Sequence, residues 1–92
     1  MGPESRFKIK VLKRLKQIPN LWCLKVNLRT INGIPDILGC KDGKFFAIEL
    51  KDGTKLTKLQ EHTIKNICDA GGFACEMNPQ NMDDVLQKLK EL

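Results

Sequence analysis

Asp36, Glu49 and Lys51 are the residues of this sequence whose types and spacing support chemistry. They flank Lys41-Asp42-Gly43-Lys44, and Asp-Gly between apolar runs is a strong hairpin signal, because a type I′ turn needs positive φ at both central positions. A two-residue turn at Asp42-Gly43 sets Lys41 opposite Lys44, Leu38 opposite Ala47 and Asp36 opposite Glu49. Opposed side chains carry Cβ atoms about 4.5–5.5 Å apart on one face of a sheet, where two carboxylates repel. Folding gives no reason to choose such a pair. A divalent cation between them does, and Mg2+ favours one or two carboxylates together with phosphate oxygens and water. Alternation puts Lys51 on the face of Glu49 and turns Phe46, Ile48 and Leu50 the other way. That second face, with Ile37, is apolar and should pack on a helix. The competing reading is a solvated face with an incidental Glu49–Lys51 ion pair, since surface pairs contribute little.

The elements that must position these residues are legible from periodicity. Residues 4–18 predict a helix, with Phe7, Val11, Leu12, Leu15 and Ile18 at helical spacing. Arg6, Lys8, Lys10, Lys13, Arg14 and Lys16 fill its remaining faces, and Pro19-Asn20 ends it. Residues 22–29 alternate, so Trp22, Leu24, Val26 and Leu28 are expected on the inner side of a half-buried strand. Residues 30–35 form a loop carrying Gly33, and residues 36–40 and 44–51 form the hairpin strands. Thr57 starts a second helix with Gln60 three positions on, the spacing of a capping box, and Gly71-Gly72 ends it. Residues 73–77 read as a short strand, with Asn78-Pro79 as a stop. Met82, Val85, Leu86, Leu89 and Leu92 mark a final amphipathic helix with Asp83 and Asp84 in its first turn. The order is α-β-β-β-α-β-α. The strand–helix–strand unit over 45–77 implies a parallel crossover onto an antiparallel meander. The fold class expected is α/β, a mixed sheet of about four strands flanked by helices.

A length of 92 residues suits a single domain over 1–92. Hydrophobic residues at 41% and charged residues at 29% are ordinary globular usage and argue against disorder. No apolar run approaches the roughly 20 residues that span a bilayer. Met1-Gly2-Pro3-Glu4-Ser5-Arg6 lacks the apolar segment of a secretory signal, so a cytoplasmic setting is expected. Sixteen Lys+Arg against eleven Asp+Glu leave +5, a balance attracted to polyanions, of which nucleic acid is the commonest. Cys23, Cys40, Cys68 and Cys75 form no C-x-x-C pair, and His62 has no neighbouring ligand, so reduced, buried cysteines are expected rather than a zinc site. His62 reads as an exposed or satisfied helix residue, and no Ser/His/Asp arrangement offers a competing mechanism.

Gly33-Ile34-Pro35-Asp36, then Glu49-Leu50-Lys51, then Gln60 resembles the PD-(D/E)XK nuclease superfamily, and more narrowly its virus-type replication–repair nuclease (VRR-NUC) family. An isolated E-x-K carries no weight. Pro-Asp followed by E-x-K at the ends of a predicted hairpin, in the right element order, is specific. The similarity runs from Glu4 through Gln60 to Ala70-Gly71-Gly72 and the strand that follows. The resemblance implies a restriction-endonuclease-like core in which Asp36 and Glu49 hold a metal together with the backbone carbonyl of Leu50. It implies that Lys51 positions and polarises the attacking water or stabilises charge on the phosphate. Glu4 would join the metal shell directly or through water, and Gln60 would reach the site from the second helix. The bare residues leave two of these open. A glutamate near a helix start is favourable in any helix, and Gln60 can simply complete the Thr57 capping box.

The function this implies is metal-dependent hydrolysis of phosphodiester bonds in DNA, with Mg2+ as cofactor and Mn2+ as its substitute. Of the sixteen basic residues only Arg6, Arg14 and Arg29 are arginine; lysine predominates, which suits phosphate contact better than base reading. The expected endonuclease is therefore structure-selective. The superfamily includes minimal archaeal Holliday-junction resolvases, which points to branched or four-way DNA in a prokaryotic or phage-infected cell. Cutting both strands of a two-fold junction needs two sites, so a homodimer is expected. The alternatives are a non-cleaving nucleic-acid-binding module with the same fold and a restriction- or homing-type nuclease.

Overall fold

The hairpin is the frame for the rest of the chain. In the computed structural model, which describes residues 2–27 and 31–92 apart from the side chain of Glu4, Asp42 and Gly43 take φ of 50° and 82°. This two-residue turn joins β2 (Ile37–Lys41) to β3 (Lys44–Leu50) and pairs Lys41 with Lys44, Leu38 with Ala47 and Ile37 with Ile48. β1 (Leu21–Lys25) lies antiparallel to β2 on its outer side. After β3 the chain crosses through α2 (Lys58–Asp69) and returns as β4 (Phe73–Met77), parallel to β3. α1 (Pro3–Lys16) precedes the sheet and α3 (Met82–Lys90) follows it. The result is the α/β fold expected, a mixed sheet of order β1-β2-β3-β4 flanked by helices in the sequence α-β-β-β-α-β-α. Among the described residues no helix is long and apolar enough to cross a membrane.

One sheet face forms the core. Ile37, Phe46, Ile48, Leu50 and Met77 meet Phe7, Val11 and Leu15 of α1 and Val85, Leu86 and Leu89 of α3. Each such side chain contributes about 1.5–3 kcal/mol on burial, so this layer dominates stability. α2 lies on the other face, near Phe45 and Ala74, and buries no residue fully. At the turn end of the core, the buried Lys41 donates to the Lys90 carbonyl at 3.3 Å and to Asp42, tying the end of α3 to the hairpin.

Five expectations need correction. β1 ends at Lys25, and Leu28 and Arg29 lie outside the described residues. Its inner side is also the opposite of the one expected. Cys23 pairs with Gly39, which pairs with Phe46, so Leu21 and Cys23 join the core face. Trp22 and Leu24 stand opposite Cys40 and Leu38 on the other face, 60% and 42% exposed. Over Leu21–Leu24 both alternating sets are apolar, so pairing with β2 decides which turns inward, although Lys25 belongs to the inward set. All four thiols are free, but Cys40 and Cys68 are exposed and Cys23 and Cys75 only partly buried, because Cys40 shares the open face with Trp22 and Cys68 sits on the lightly packed α2. Asp36 and Lys51 lie just outside the strands assigned to them, and α1 ends two residues early, at Lys16.

Gly39 is the tightest point of the sheet. A Cβ there would collide with the Trp22 carbonyl oxygen and come within 2.6 Å of the Phe46 ring. The carbonyl is fixed by the β1–β2 ladder, and the Phe46 ring is fully buried in the core. Gly39→Ala should therefore cost about 2–3 kcal/mol, as overpacking does. Urea unfolding should show a lower midpoint with an unchanged slope, and an unshifted midpoint would mean that β1 is held more loosely than its register implies.

Candidate functional site

One residue beyond the Ile37–Ile48 pair, at the end of the hairpin away from the turn, Asp36 stands across from Glu49. Asp36 precedes β2, yet it is held on two sides. Its carbonyl accepts the Val26 N–H at 2.7 Å, and its Oδ2 accepts the Leu50 N–H at 2.8 Å. The segment leading to it is fixed against α2. Gly33, at φ 80°, approaches so closely that a Cβ would lie 2.7 Å from Leu59 Cγ, and Pro35 is buried. Gly33-Ile34-Pro35-Asp36 thus bridges the open end of the sheet and the first turn of α2.

That first turn reaches back into the site. Thr57 Oγ1 accepts the Gln60 N–H at 3.2 Å, and Gln60 Oε1 accepts the Thr57 N–H at 2.9 Å, a complete capping box. The other end of the same amide, Nε2, donates to Glu49 Oε1 at 3.1 Å. The sequence posed cap and site as alternatives for Gln60. An amide has an acceptor and a donor end, and here one serves the helix while the other touches Glu49.

Glu49 is 5% exposed, and its Oε2 is buried with no hydrogen-bond partner among the described residues. Burial, and then the charge and hydrogen-bonding reach of Asp36, push its carboxyl up to about 8 against the opposing charges of Lys51 and Lys8. A buried polar atom left unsatisfied costs about 1–3 kcal/mol, more when charged. Packing alone gives no compensation for that cost; a proton or a cation at Oε2 does. The oxygens of Asp36 and Glu49 are the donors that hard divalent cations prefer.

Lys51 follows β3, half-buried, with its N–H on the Met77 carbonyl at 3.0 Å, and its charge acts on Glu49. Leu50 lies in β3 beside Asp36. Glu4 stands in the first turn of α1, and its side chain is outside the described residues. His62 is exposed on α2. Lys8 is absent from the site residues expected from the sequence, where it counts only among the basic residues filling the remaining faces of α1. It is half-buried, and its charge is felt at Glu49. Its place four residues after Glu4, on one side of α1, was the available signal.

No protein-family model and no curated protein matches the chain. Solved structures do match it. One described as a VRR_NUC domain superposes with a TM-score of 0.77 at 19% identity, over 95% of this chain and 97% of that one. Hjc, a Holliday junction resolvase from the archaeal hyperthermophile Archaeoglobus fulgidus, gives a TM-score of 0.56 at 20% identity, over 80% of this chain and 67% of that one. At these identities the likeness establishes the fold, and the fold is VRR-NUC-like.

Glu49 holds its proton more tightly folded than unfolded, where its ordinary value is 4.5. Its contribution to stability is therefore full below about pH 4.5 and is lost as pH rises through about 8. Glu49→Gln removes the loss. In chelator, calorimetry should find the variant melting above the wild type at alkaline pH, with the gap closing toward pH 5. A gap that is constant with pH would show that Glu49 is not the source.

Proposed function

We propose that this chain, as one nuclease domain over residues 1–92, is a divalent-metal-dependent DNA endonuclease selective for branched DNA such as four-way junctions. The observation that carries the reading is the buried Oε2 of Glu49, without a hydrogen-bond partner among the described residues, beside Asp36 at the open end of the hairpin. The likeness to a Holliday junction resolvase and the lysine-rich charge of +5 support the substrate class.

Asp36 and Glu49 each have one carboxylate oxygen held by an N–H, which leaves the other for the ion. In this reading the Leu50 carbonyl and Glu4 complete the protein ligands. Mg2+ is the ion, and Mn2+ substitutes for it. Once bound, the ion supplies Lewis acidity and a water of lowered pKa. Lys51 Nζ, a compact charge on a flexible stem, takes a non-bridging phosphate oxygen and opposes the negative charge that develops there. Gln60 keeps Glu49 from rotating, because its own amide is fixed by the Thr57 N–H. The remaining lysines hold the DNA backbone without reading its sequence. Two sites are needed to cut both strands of a two-fold junction, so the acting species is a cytoplasmic homodimer.

Asp36→Asn tests the mechanism on a panel of linear, flapped and four-way DNAs. Nicking should fall by at least about 100-fold, the upper range for weakening a metal ligand's support alone. The fold should be intact, and slightly more stable at a pH above about 8, where Glu49 is ionised and its repulsion with Asp36 is relieved. DNA binding in chelator should persist or tighten. Wild-type nicking by the purified variant, or full activity of the wild type after exhaustive chelation, would overturn the assignment.

Affinity for junction DNA should fall steeply with salt. Each phosphate neutralised by lysine contributes about −0.9 to the slope of log K against log salt, so several contacts give a slope steeper than about −3. A flat response in a titration would exclude a backbone-reading surface.

A further inference from the structure

The sheet face that carries Asp36 and Glu49 continues, away from the site, into an apolar surface. Leu24 and Leu38 form one row across β1 and β2 that ends at the buried Ala47 of β3, and Trp22, Cys40 and Phe45 form the next. Trp22 is 60% exposed and Phe45 44%, and Cys40 between them is also exposed. None of the six is charged, in a chain of net +5. Beyond Phe45 the surface dips into a hollow of about 270 Å³ lined by Phe45, Ile67, Ala70, Gly71 and Gly72. Glycine at 72 keeps it open, since a Cβ there would lie 2.9 Å from Ile67 Cγ2 and 3.1 Å from Phe45 Cδ2. A protruding indole and an apolar hollow therefore share one face, roughly 10–15 Å apart at about 4.8 Å per strand.

We propose that two copies of the chain meet on this face, the Trp22 indole of each seated in the other's hollow beside Phe45 and Gly72. The inference rests on the two-copy reading above and adds where the copies join. A knob and a hole on one surface are what a two-fold axis requires, because each contact is then made twice. A second copy carrying the same +5 charge meets these uncharged rows without like-charge repulsion. DNA finds no cation in them to hold its phosphates. Tryptophan in an apolar pocket is the chemistry of interface centres. An aromatic side chain carries on the order of 150–250 Å², of which Trp22 still exposes 60% and Phe45 44%; with Leu24 at 42% they supply the apolar centre of an interface rather than the whole of the roughly 800 Å² per partner in a standard one. Asp36 lies four residues from Cys40 along the chain, about 13 Å at 3.3 Å per residue, so the Trp22–Cys40–Phe45 row stands clear of the site, with the Leu24–Leu38 row between them.

Trp22 is the only tryptophan of the chain, so its emission reports the contact directly. Sedimentation velocity and emission spectra of the full chain without DNA, from submicromolar to tens of micromolar, should show a dimer whose formation coincides with a blue shift. Leu24→Lys changes the rows and Ala70→Lys fills the hollow; both positions are exposed, so far-UV circular dichroism and melting should match the wild type. Each variant should associate about tenfold more weakly or worse and keep the emission of an exposed indole. A dimer whose emission does not change with concentration, or that persists in both variants, overturns this face and leaves the two-copy reading standing. A wild type that stays monomeric with and without junction DNA overturns both. A blue shift seen only when DNA is added to monomer assigns Trp22 to base stacking and overturns the proposal. None of these outcomes depends on whether the protein nicks DNA.

Discussion

Two carboxylates made to face each other by a two-residue turn are the constraint around which the site is organised. With Asp42 and Gly43 both at positive φ, the hairpin has one register, and a slip by one residue would turn its apolar set out of the core. Packing of Ile37, Phe46 and Ile48 against α1 and α3 therefore enforces the opposition of Asp36 and Glu49 on the other face. The neighbouring elements offset the repulsion with directed donors and cations. The Leu50 N–H takes one oxygen of Asp36, the Gln60 amide takes one of Glu49, and the charges of Lys51 and Lys8 act on Glu49. Among the described residues, what they leave uncompensated is one buried oxygen, Oε2 of Glu49.

The hairpin was readable from the sequence because turn chemistry and period-2 alternation act over a few residues. The same holds for the capping box at Thr57, the strand Phe73–Met77 and the amphipathic face of α3. β1 was misread because Leu21 and Cys23 are as apolar as Trp22 and Leu24, and alternation cannot rank two apolar sets. The choice is made by Gly39 and Phe46, residues remote in sequence. The exposed cysteines have the same origin, since Cys40 shares the side of Trp22.

In the candidate site, the placement of Asp36 against Glu49 followed from counting out from the turn, and the position of Gln60 from its resemblance to a motif. The simultaneous use of both ends of the Gln60 amide did not follow, because it needs the loop at Gly33 packed on Leu59 to bring α2 to the sheet. Lys8 was missed for a similar reason. Its influence on Glu49 depends on where α1 crosses the core, and its place four residues after Glu4 puts it on the side of one candidate ligand without showing that this side faces Glu49.

The way α2 is held has a consequence for the working temperature of the molecule. This helix buries no residue fully, yet its first turn supplies the amide that grips Glu49. Elements with few buried contacts open at far lower free energy than the sheet beneath them. Each opening of that turn releases Gln60 and frees Glu49 to turn or to keep its proton. The fraction of molecules in which Gln60 holds Glu49 is thus governed by the fraying of a single helical turn. On warming, that grip is expected to loosen while the core is still intact, so the arrangement around Glu49 has a transition of its own below the melting of the fold.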